Sequence, residues 1–544
     1  MNNDSLQTRI HDLVVEQRSE TAVVKDAVQE YRLQVCYALL LDNVKFSVLE
    51  YSQNPNRLRH FLEFQRGTLP ERDVRDKIPD IQRLERENLL KELKETNVSV
   101  IFDATSEVCE IFGVAVRFIS NESGQITQRA VALEFVKKSL TAEEQVQLLS
   151  NVLLYRYQIN PSRIIAFIRD GCSTNNASLN LLKIISPSSL DITCIAHGCN
   201  IFGNTVKKNT PTLSRFVGHW STLLTVSKQA MRKFRDLLPR GQSVAQISEV
   251  RWFTFFEVAA QLHLHWNLAM MVINDPASFA GDSRRYLKGI VDEEWYDLRK
   301  QLAIVVDKCE SLCTLCHNLE GDGFLSPLAY DLWMKCMREF NSNDGAPALV
   351  GVLQELYPSD HEMQRYENDK IIEATLGAAR IKLRNDESLR LREVLEILRA
   401  CRLFNYEFIA KEQEETLLDP DVGEFKYLNK LPKHYSACSD FGEDYVGKEL
   451  KQYVGMAKSY YERESIKQST PDLWGFWLRH KLMLPLLYAL SCDVALIVPS
   501  SCTVERIFSM YEQRFSSSQE RALEDLKATG TILAYNTNFR DRKG

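Results

Sequence analysis

The sequence lacks the features of membrane, secreted and disulfide-stabilised proteins. Its most apolar stretch, residues 482–499, is interrupted by Pro485 and Asp493, so we expect a buried helix and a turn there. The first 20 residues contain no apolar core followed by a small-residue cleavage site, which argues against secretion. The 13 cysteines are odd in number and scattered over 544 residues, which indicates reduced thiols. We therefore expect an intracellular protein without a membrane partner.

An excess of positive charge is also missing. The chain has 67 Lys and Arg against 73 Asp and Glu, a net charge of -6 at pH 7. This balance excludes a protein that coats nucleic acid through its overall charge, so any such binding must come from local patches. A chain of this length exceeds the size at which one core keeps growing, and we expect at least two domains.

Apolar periodicity divides the chain into four parts. Residues 1–95 have a helical pattern, whereas residues 96–254 contain strand-like apolar runs at 98–102, 114–119, 129–135, 164–168 and 192–195, with helices between the later runs. Residues 255–470 have almost no strand signal and are predicted to be a helical insertion, and residues 471–544 return as helices that rejoin the sheet. The predicted fold class is α/β plus all-α: an RNase H-like mixed-sheet core, interrupted by the insertion and preceded by an N-terminal helical region.

Three carboxylates stand at the ends of such elements. Asp103 ends the run VSVIFD, Asp170 ends IIAFIRD, and Glu505 lies in the first turn of the helix predicted within IVPSSCTVERIFSM. Two divalent cations about 3.5 to 4 Å apart can clamp an in-line displacement at a phosphodiester, and Mg²⁺ prefers carboxylate oxygens. Each residue also has a plainer explanation: an Asx turn, an Asp-Gly turn and a carboxylate that favours the helix dipole.

Two motifs follow the fifth strand run. In CIAHGCN, the residues alone allow a weak metal cluster of Cys194, His197 and Cys199, or a buried thiol beside a core histidine. In ISEVRWFTFFEV, Arg251 can pair with a phosphate and Trp252 can hold an extruded base by stacking, worth ~1 to 3 kcal/mol. The alternative there is a core tryptophan beside a surface arginine.

Residues 207–240 form the strongest local basic segment, with Asp236 as its single acid. Such a segment suits contact with a phosphate backbone, and a solvated helix face is the alternative. The candidate DNA-binding residues here are Lys207, Lys208, Arg215, Lys228, Arg232 and Lys233.

The string CESLCTLCHNL contains Cys309, Cys313, Cys316 and His317. CTLCH matches the string to which haem c is attached, but haem attachment requires an export signal that the sequence lacks. A zinc site requires a further ligand, which this string does not supply. The three cysteines fall on one helical face, so we expect core packing and predict no structural zinc.

Taken together, these strings resemble the hAT (hobo/Activator) superfamily of DDE transposases. The likeness spans roughly residues 30–540 and is most specific in PDLWGFWLRHKLMLPLLYALSCDVALIVPSSCTVERIFSM, which is similar to the C-terminal dimerisation region of that family. The resemblance implies cut-and-paste transposition: nicking at an element end, hairpin formation on flanking DNA, and joining of the freed 3′ hydroxyl to target DNA. It implies Asp103, Asp170 and Glu505 as catalytic residues and as ligands of Mg²⁺ or Mn²⁺. It also implies that His197, in a string similar to the CxxH motif of that family, positions the DNA.

The resemblance further implies transposon ends and target DNA as partners, a homodimer or higher oligomer, and a nuclear location. No Cys or His set with zinc-finger spacing precedes Asp103 in this sequence, so we expect recognition of DNA ends by the N-terminal helices, by the insertion, or by a zinc finger outside the given sequence. Two alternatives stay open. One is a domesticated hAT-derived protein that binds DNA and dimerises without catalysis, and the other is an RNase H-type nuclease without transposition.

Overall fold

The structure, a computed structural model, describes residues 27–49, 62, 70–105, 110–247, 252–275, 281–344, 346–386, 391–418, 423–431, 443–467, 472–515 and 524–541. Within these ranges the protein is mostly helical and contains one mixed sheet of five strands. Among the described helices, none combines the length and the apolar character needed to cross a membrane.

In the described residues three α-helices precede the sheet, and two more connect its later strands. Helices α1 (Ala27–Leu41), α2 (Glu71–Arg75) and α3 (Ile78–Leu93) lead into an antiparallel meander of β1 (Val98–Thr105), β2 (Glu110–Ile119) and β3 (Ile126–Val136). Helix α4 (Ala142–Ser150) then leads to β4 (Ile164–Arg169), and helix α5 (Ser173–Ile185) leads to β5 (Leu190–Thr193). The strand order is β3-β2-β1-β4-β5, with β4 parallel to β1 and β5 parallel to β4.

Helices follow throughout the described residues after Thr193. The first nine are α6 (Ile195–Lys208), α7 (Pro211–Val226), α8 (Lys228–Leu237), α9 (Trp252–Leu264), α10 (Trp266–Ile273), α11 (Gly281–Glu293), α12 (Trp295–Leu319), α13 (Ser326–Asn341) and α14 (Pro347–Leu356). The remainder are α15 (His361–Asp386), α16 (Arg392–Cys401), α17 (Tyr406–Lys411), α18 (Glu414–Leu418), α19 (Glu443–Lys467), α20 (Leu473–His480), α21 (Pro485–Leu496), α22 (Cys502–Arg514) and α23 (Glu524–Asp541).

The two faces of the sheet contribute to different cores. Val100, Phe102 and Phe167 belong to a smaller core that includes residues of α3, α4 and α5. Ile101 and Ile168 belong to the main core, which extends through the helices that follow β5. Because successive strand residues point to opposite faces, coverage of both faces explains why β1, β2 and β4 are buried along most of their length.

All five predicted strands are present, and the coarse prediction of a mixed sheet with a large helical part is confirmed. The predicted end of the fifth strand is wrong. That strand ends at Thr193, and Cys194 caps α6 by accepting a hydrogen bond from the backbone N–H of His197. The change from strand to helix therefore falls at residues 193–195, well before the predicted start of the helical insertion at residue 255.

Candidate active site at the carboxyl end of the sheet

Asp103 and Asp170 lie level with one another at one edge of the sheet. In the parallel pairing of β1 with β4, Val100 is opposite Phe167 and Ile101 is opposite Ile168. Extending this register by two positions places Asp103 opposite Asp170, on strands about 4.8 Å apart. Ile101 and Ile168 face the main core, so the alternation of side chains puts both aspartates on the face that the helical part covers.

Glu505 reaches this edge on α22, which packs against β1 and β2. Gly113 of β2 pairs with Asp103 and lies directly beneath the helix. A Cβ atom at Gly113 would lie 2.6 Å from Cγ1 of Val504 and 2.9 Å from Cε1 of Phe508, distances shorter than any van der Waals contact. The missing side chain at Gly113 is therefore what allows the first turn of α22 to approach the two aspartates.

The segment before α22 is joined to the segment after β5 by backbone contacts. The N–H of Ile195 donates to the carbonyl of Pro499 at 2.9 Å, and the N–H of Ser501 donates to Sγ of Cys194 at 3.3 Å. The N–H of His197 donates to the same sulfur at 3.3 Å. Burial, together with the charge of Glu505, raises the pKa of the Cys194 thiol to about 12. Cys194 is thus a neutral acceptor that brings the His197 turn and the Glu505 turn together.

A second junction fixes α22 to the helical part. The buried guanidinium of Arg117, on β2, donates to the carbonyls of Ala495 (2.7 Å), Asp322 (3.1 Å) and Gly323 (2.6 Å). Arg506, one residue after Glu505, pairs with the Asp322 carboxylate at 2.5 Å. Arg117 of the sheet and Arg506 of α22 therefore both bind the turn at residues 322–323. Because Glu505 is next to Arg506 in the chain, these contacts restrict its position.

The three carboxylates lie within electrostatic range of one another. Burial first, then the charges of Asp170 and Glu505, raises the pKa of Asp103 well above its usual value of 3.8. Asp170 Oδ1 accepts hydrogen bonds from the N–H of Cys172 at 3.1 Å and from Nδ2 of Asn175 at 2.5 Å, which fixes its carboxylate. Like charges held this close repel one another, and a bound cation would relieve that repulsion.

His197 lies beside Asp170, with its Nδ1 4.0 Å from the Oδ2 of that aspartate and its side chain 35% exposed. It occupies the first turn of α6, Asp170 lies just before α5, and Glu505 occupies the first turn of α22. The amino ends of three helices therefore converge on the carboxylates. The positive ends of their helix dipoles favour a negatively charged group at this edge.

The donors at the site fit hard divalent cations better than zinc. Three carboxylates supply oxygens, and the buried Oδ1 of Asn175, beside Asp170, has no hydrogen-bond partner among the described residues. Burial raises the pKa of the neighbouring Cys172 and Cys502 thiols to about 11, so neither is ionised near neutral pH. Oxygen donors without thiolates are the preference of Mg²⁺ and Mn²⁺.

In the described part of the chain, Glu257, Cys313 and His317 are the one group of three or more His, Cys, Asp or Glu side chains whose ligand atoms all lie within 4.8 Å of one another. The ligand atoms of Asp103, Asp170 and Glu505 do not meet that spacing.

Trp252 does not occupy the position predicted for it. Its side chain is 2% exposed, packs against Gly203 of α6 and lies beside Phe256, with the ring centroids 6.2 Å apart. Its backbone N–H donates to the side chain of Asn200 at 3.3 Å. An indole in this position cannot receive an extruded base, and it supports the helix that carries His197 instead. Arg251 lies outside the described residues.

The basic segment divides into exposed and engaged side chains. Lys208, Lys228 and Arg232 are exposed. Arg215 pairs with Glu294 and Lys233 with Asp275, both at 2.6 Å, and the Lys207 ammonium lies 5.4 Å from the centroid of the Phe255 ring. The first three residues are therefore the better candidates for contact with phosphates.

The sequence prediction missed Gly113, Arg117 and Asn175. Gly113 had a recognisable signal, because a glycine inside a strand pattern marks a close approach of another chain segment. Asn175, five residues after Asp170, lies in a helix start in which several polar residues compete for the same role. The partners of Arg117 are far away in the sequence, and nothing local identifies them.

Comparisons with known proteins leave the family of this chain undecided. No protein-family model matches it, and no curated protein is significantly similar to it.

Proposed function

We propose that the protein is a cut-and-paste DNA transposase of the hAT type, with an RNase H-like catalytic core and Asp103, Asp170 and Glu505 as its catalytic carboxylates. One observation carries this proposal: Asp103, at the carboxyl end of β1, lies close enough to both Asp170 and Glu505, which are far away in the sequence, for their charges to contribute to its raised pKa. An Asx turn, an Asp-Gly turn and a helix-start glutamate have no reason to converge if each has only a local role.

The topology supports the fold assignment. An antiparallel meander of three strands, followed by two parallel strands that helices precede, is the element order that an RNase H-like core requires. The long helical segment between β5 and α22 corresponds to the insertion that the hAT resemblance implies. The Cys194, His197 and Ser501 contacts join the two motifs that resemble hAT sequences most closely.

In this mechanism the protein positions a phosphodiester and holds its charge. The three carboxylates would hold two divalent ions, which when bound supply activation of the attacking oxygen and stabilisation of the leaving oxygen. The helix dipoles at the amino ends of α5, α6 and α22 attract the scissile phosphate to this edge. His197, whose side chain is partly exposed beside Asp170, donates a hydrogen bond to a phosphate oxygen. No covalent intermediate with the protein is needed.

The exposed cations extend this site along a DNA duplex. Helix α6 runs from the site at Ile195 to Lys208, and its 14 residues span roughly 21 Å at 1.5 Å per residue. Lys208 at the far end of this helix, with Lys228 and Arg232 on α8, can contact the backbone several base pairs from the scissile bond. Contacts of this kind set the register of the duplex without reading its sequence.

The test is metal-dependent nicking of supercoiled plasmid DNA and of duplexes that carry the repeats flanking the coding sequence. Asp103→Asn, Asp170→Asn and Glu505→Gln should each abolish cleavage in Mg²⁺ and Mn²⁺. The control Asp282→Asn removes an exposed carboxylate on α11 and should leave cleavage unchanged. Nicking that persists in purified Asp103→Asn protein would overturn the assignment.

The burial of Trp252 favours a second candidate, the domesticated hAT-derived protein that binds DNA and dimerises without catalysis. With its side chain 2% exposed, Trp252 offers no accessible ring face to an extruded base. Hairpin products on flanking DNA distinguish the transposase from this protein. Cleavage of the RNA strand in a hybrid, without hairpins on duplex DNA, would instead identify a simple RNase H-type nuclease.

A further inference from the structure

A second group of metal-ligating side chains lies away from the carboxylates, between α9 and α12. Glu257 projects from α9, and Cys313 and His317 project from one face of α12 at a spacing of four residues. One ligand atom from each residue lies within 4.8 Å of the other two. Nε2 of His317 is 3.0 Å from Oε1 of Glu257.

The helix spacing alone gave only two of these three ligands. Cys313 and His317 are one helical turn apart, which places their side chains on the same face. The third ligand comes from a helix distant in sequence, and α9 and α12 pack closely against one another. This is why the string CESLCTLCHNL showed no further ligand and led to the prediction of no structural zinc.

The geometry needs only a small adjustment to hold one ion. Ligand bonds to Zn²⁺ of about 2.0 to 2.3 Å in a tetrahedron put the donor atoms roughly 3.3 to 3.7 Å apart. Nε2 of His317 already faces the carboxylate, and the edge-on contact of the imidazole with Phe253, at 4.9 Å between centroids, restricts the ring. The side chains of His317 and Glu257 are 47% and 38% exposed, which leaves a path for an ion and a place for a water ligand.

The donor chemistry separates this group from the carboxylate site. A thiol, an imidazole and one carboxylate match a borderline cation such as Zn²⁺ and do not match Mg²⁺. Burial first, then the charge of Glu257, raises the pKa of Cys313 to about 12, so the thiol is protonated when no cation is bound. A divalent ion between the three side chains would displace that proton and balance the Glu257 charge.

We propose that Glu257, Cys313 and His317 bind one zinc-like divalent cation that fastens α9 to α12. Helix α9 begins at Trp252, which packs against Gly203 of α6, the helix that carries His197 at its start. The ion would therefore stabilise the layer behind the candidate active site. The proposal does not depend on the transposase assignment.

Cobalt titration of the purified, chelator-treated protein tests this site, because Co²⁺ bound to a thiolate gives a charge-transfer absorbance that carboxylate-bound Co²⁺ lacks. The expected result is a band that saturates at one equivalent. Cys313→Ser should abolish the band. His317→Ala and Glu257→Gln, at partly exposed positions, should each remove one ligand and lose saturation at one equivalent of Co²⁺.

Matched controls come from the same protein. Cys309→Ser, one turn earlier on α12, and His265→Ala, at a partly buried position before α10, should keep the band. Asp103→Asn should also keep it, so failure of the catalytic proposal is distinguishable from failure of this one. Absence of the band in the wild type, its survival in Cys313→Ser, or its equal loss in Cys309→Ser would overturn the proposal. Zn²⁺ should raise the thermal midpoint of the wild type and not that of His317→Ala.

Discussion

Replacing Gly113 by alanine tests whether the approach of α22 determines activity. The added methyl group would lie 2.6 Å from Cγ1 of Val504 and 2.9 Å from Cε1 of Phe508. Carbon atoms in contact settle at about 3.5 to 4.0 Å, so the helix must move by roughly 1 Å or its side chains must leave their rotamers. Since Asp103 pairs with Gly113 and Glu505 follows Val504, the displacement falls on the carboxylates themselves.

Both stability and activity should respond, by different amounts. Inserting a methyl group into a well-packed contact costs about 1 to 3 kcal/mol of the free energy of unfolding. A displacement of about 1 Å at reacting groups can lower a rate on the order of 100-fold. We therefore expect Gly113→Ala to remain folded at room temperature and to lose most of its DNA cleavage.

Urea unfolding and plasmid nicking measure these two effects. Gly289→Ala, inside α11 at a position with open space around it, is the control: it should raise the free energy of unfolding by about 0.5 to 1 kcal/mol and leave cleavage unchanged. Val504→Ala removes the atom closest to the added methyl group. The double variant Gly113→Ala/Val504→Ala should therefore regain part of the lost activity, and its unfolding free energy should show a favourable coupling of about 0.5 to 3 kcal/mol. Full cleavage by folded Gly113→Ala would refute the idea that this contact positions Glu505.

Three further predictions concern charge and packing. Because the pKa of Asp103 is raised in the folded protein, the metal-free protein should lose stability as pH rises from about 4 through that raised pKa. Urea unfolding in the presence of a chelator measures this pH dependence, and Asp103→Asn should flatten it. The same dependence of unfolding free energy on pH in Asp103→Asn and wild type would contradict the prediction. Lys208→Ala and Arg232→Ala should each reduce the steepness with which log affinity for DNA falls against log salt concentration by about 0.9. Lys233→Ala should reduce it less, because Lys233 is already paired with Asp275. Equal reductions in all three variants would count against Lys208 and Arg232 as the phosphate contacts. Trp252→Ala should lower the free energy of unfolding by about 3 to 5 kcal/mol, measured by thermal denaturation, because the side chain is buried. Trp252→Phe should keep DNA cleavage. A stable Trp252→Ala protein that loses only hairpin formation would instead support the base-stacking role.

The strands could be predicted because each is specified locally. The runs ending at Asp103 and Asp170 are short, apolar and bounded by polar residues, and the structure has strands at both. The end of the fifth strand could not be predicted in the same way. Ile195 continues the apolar run, and the strand stops because the side chain of Cys194 caps a helix, a role for which cysteine is not a usual choice.

The site was predictable only in part. Alternation along a strand and the parallel pairing bring the two aspartates together, and both follow from local patterns once β1 and β4 are neighbours. The approach of Glu505 followed only from a resemblance, since no periodicity specifies which helix packs over Gly113. The role of Trp252 was undetermined for the same reason: an aromatic residue at the start of a helix has the same local pattern whether it faces a groove or the core.

The helical part thus contributes to the site by fixing its third carboxylate. Asp103 and Asp170 are attached to adjacent strands, whereas Glu505 depends on contacts that join residues hundreds of positions apart, such as Ser501 with Cys194 and Arg117 with Ala495. Those contacts exist only after the helices between β5 and α22 have packed. Because three like charges repel, a loosened helical part would let Glu505 move away before the sheet itself unfolds. Loss of activity should therefore precede loss of the strands when the protein is denatured gradually.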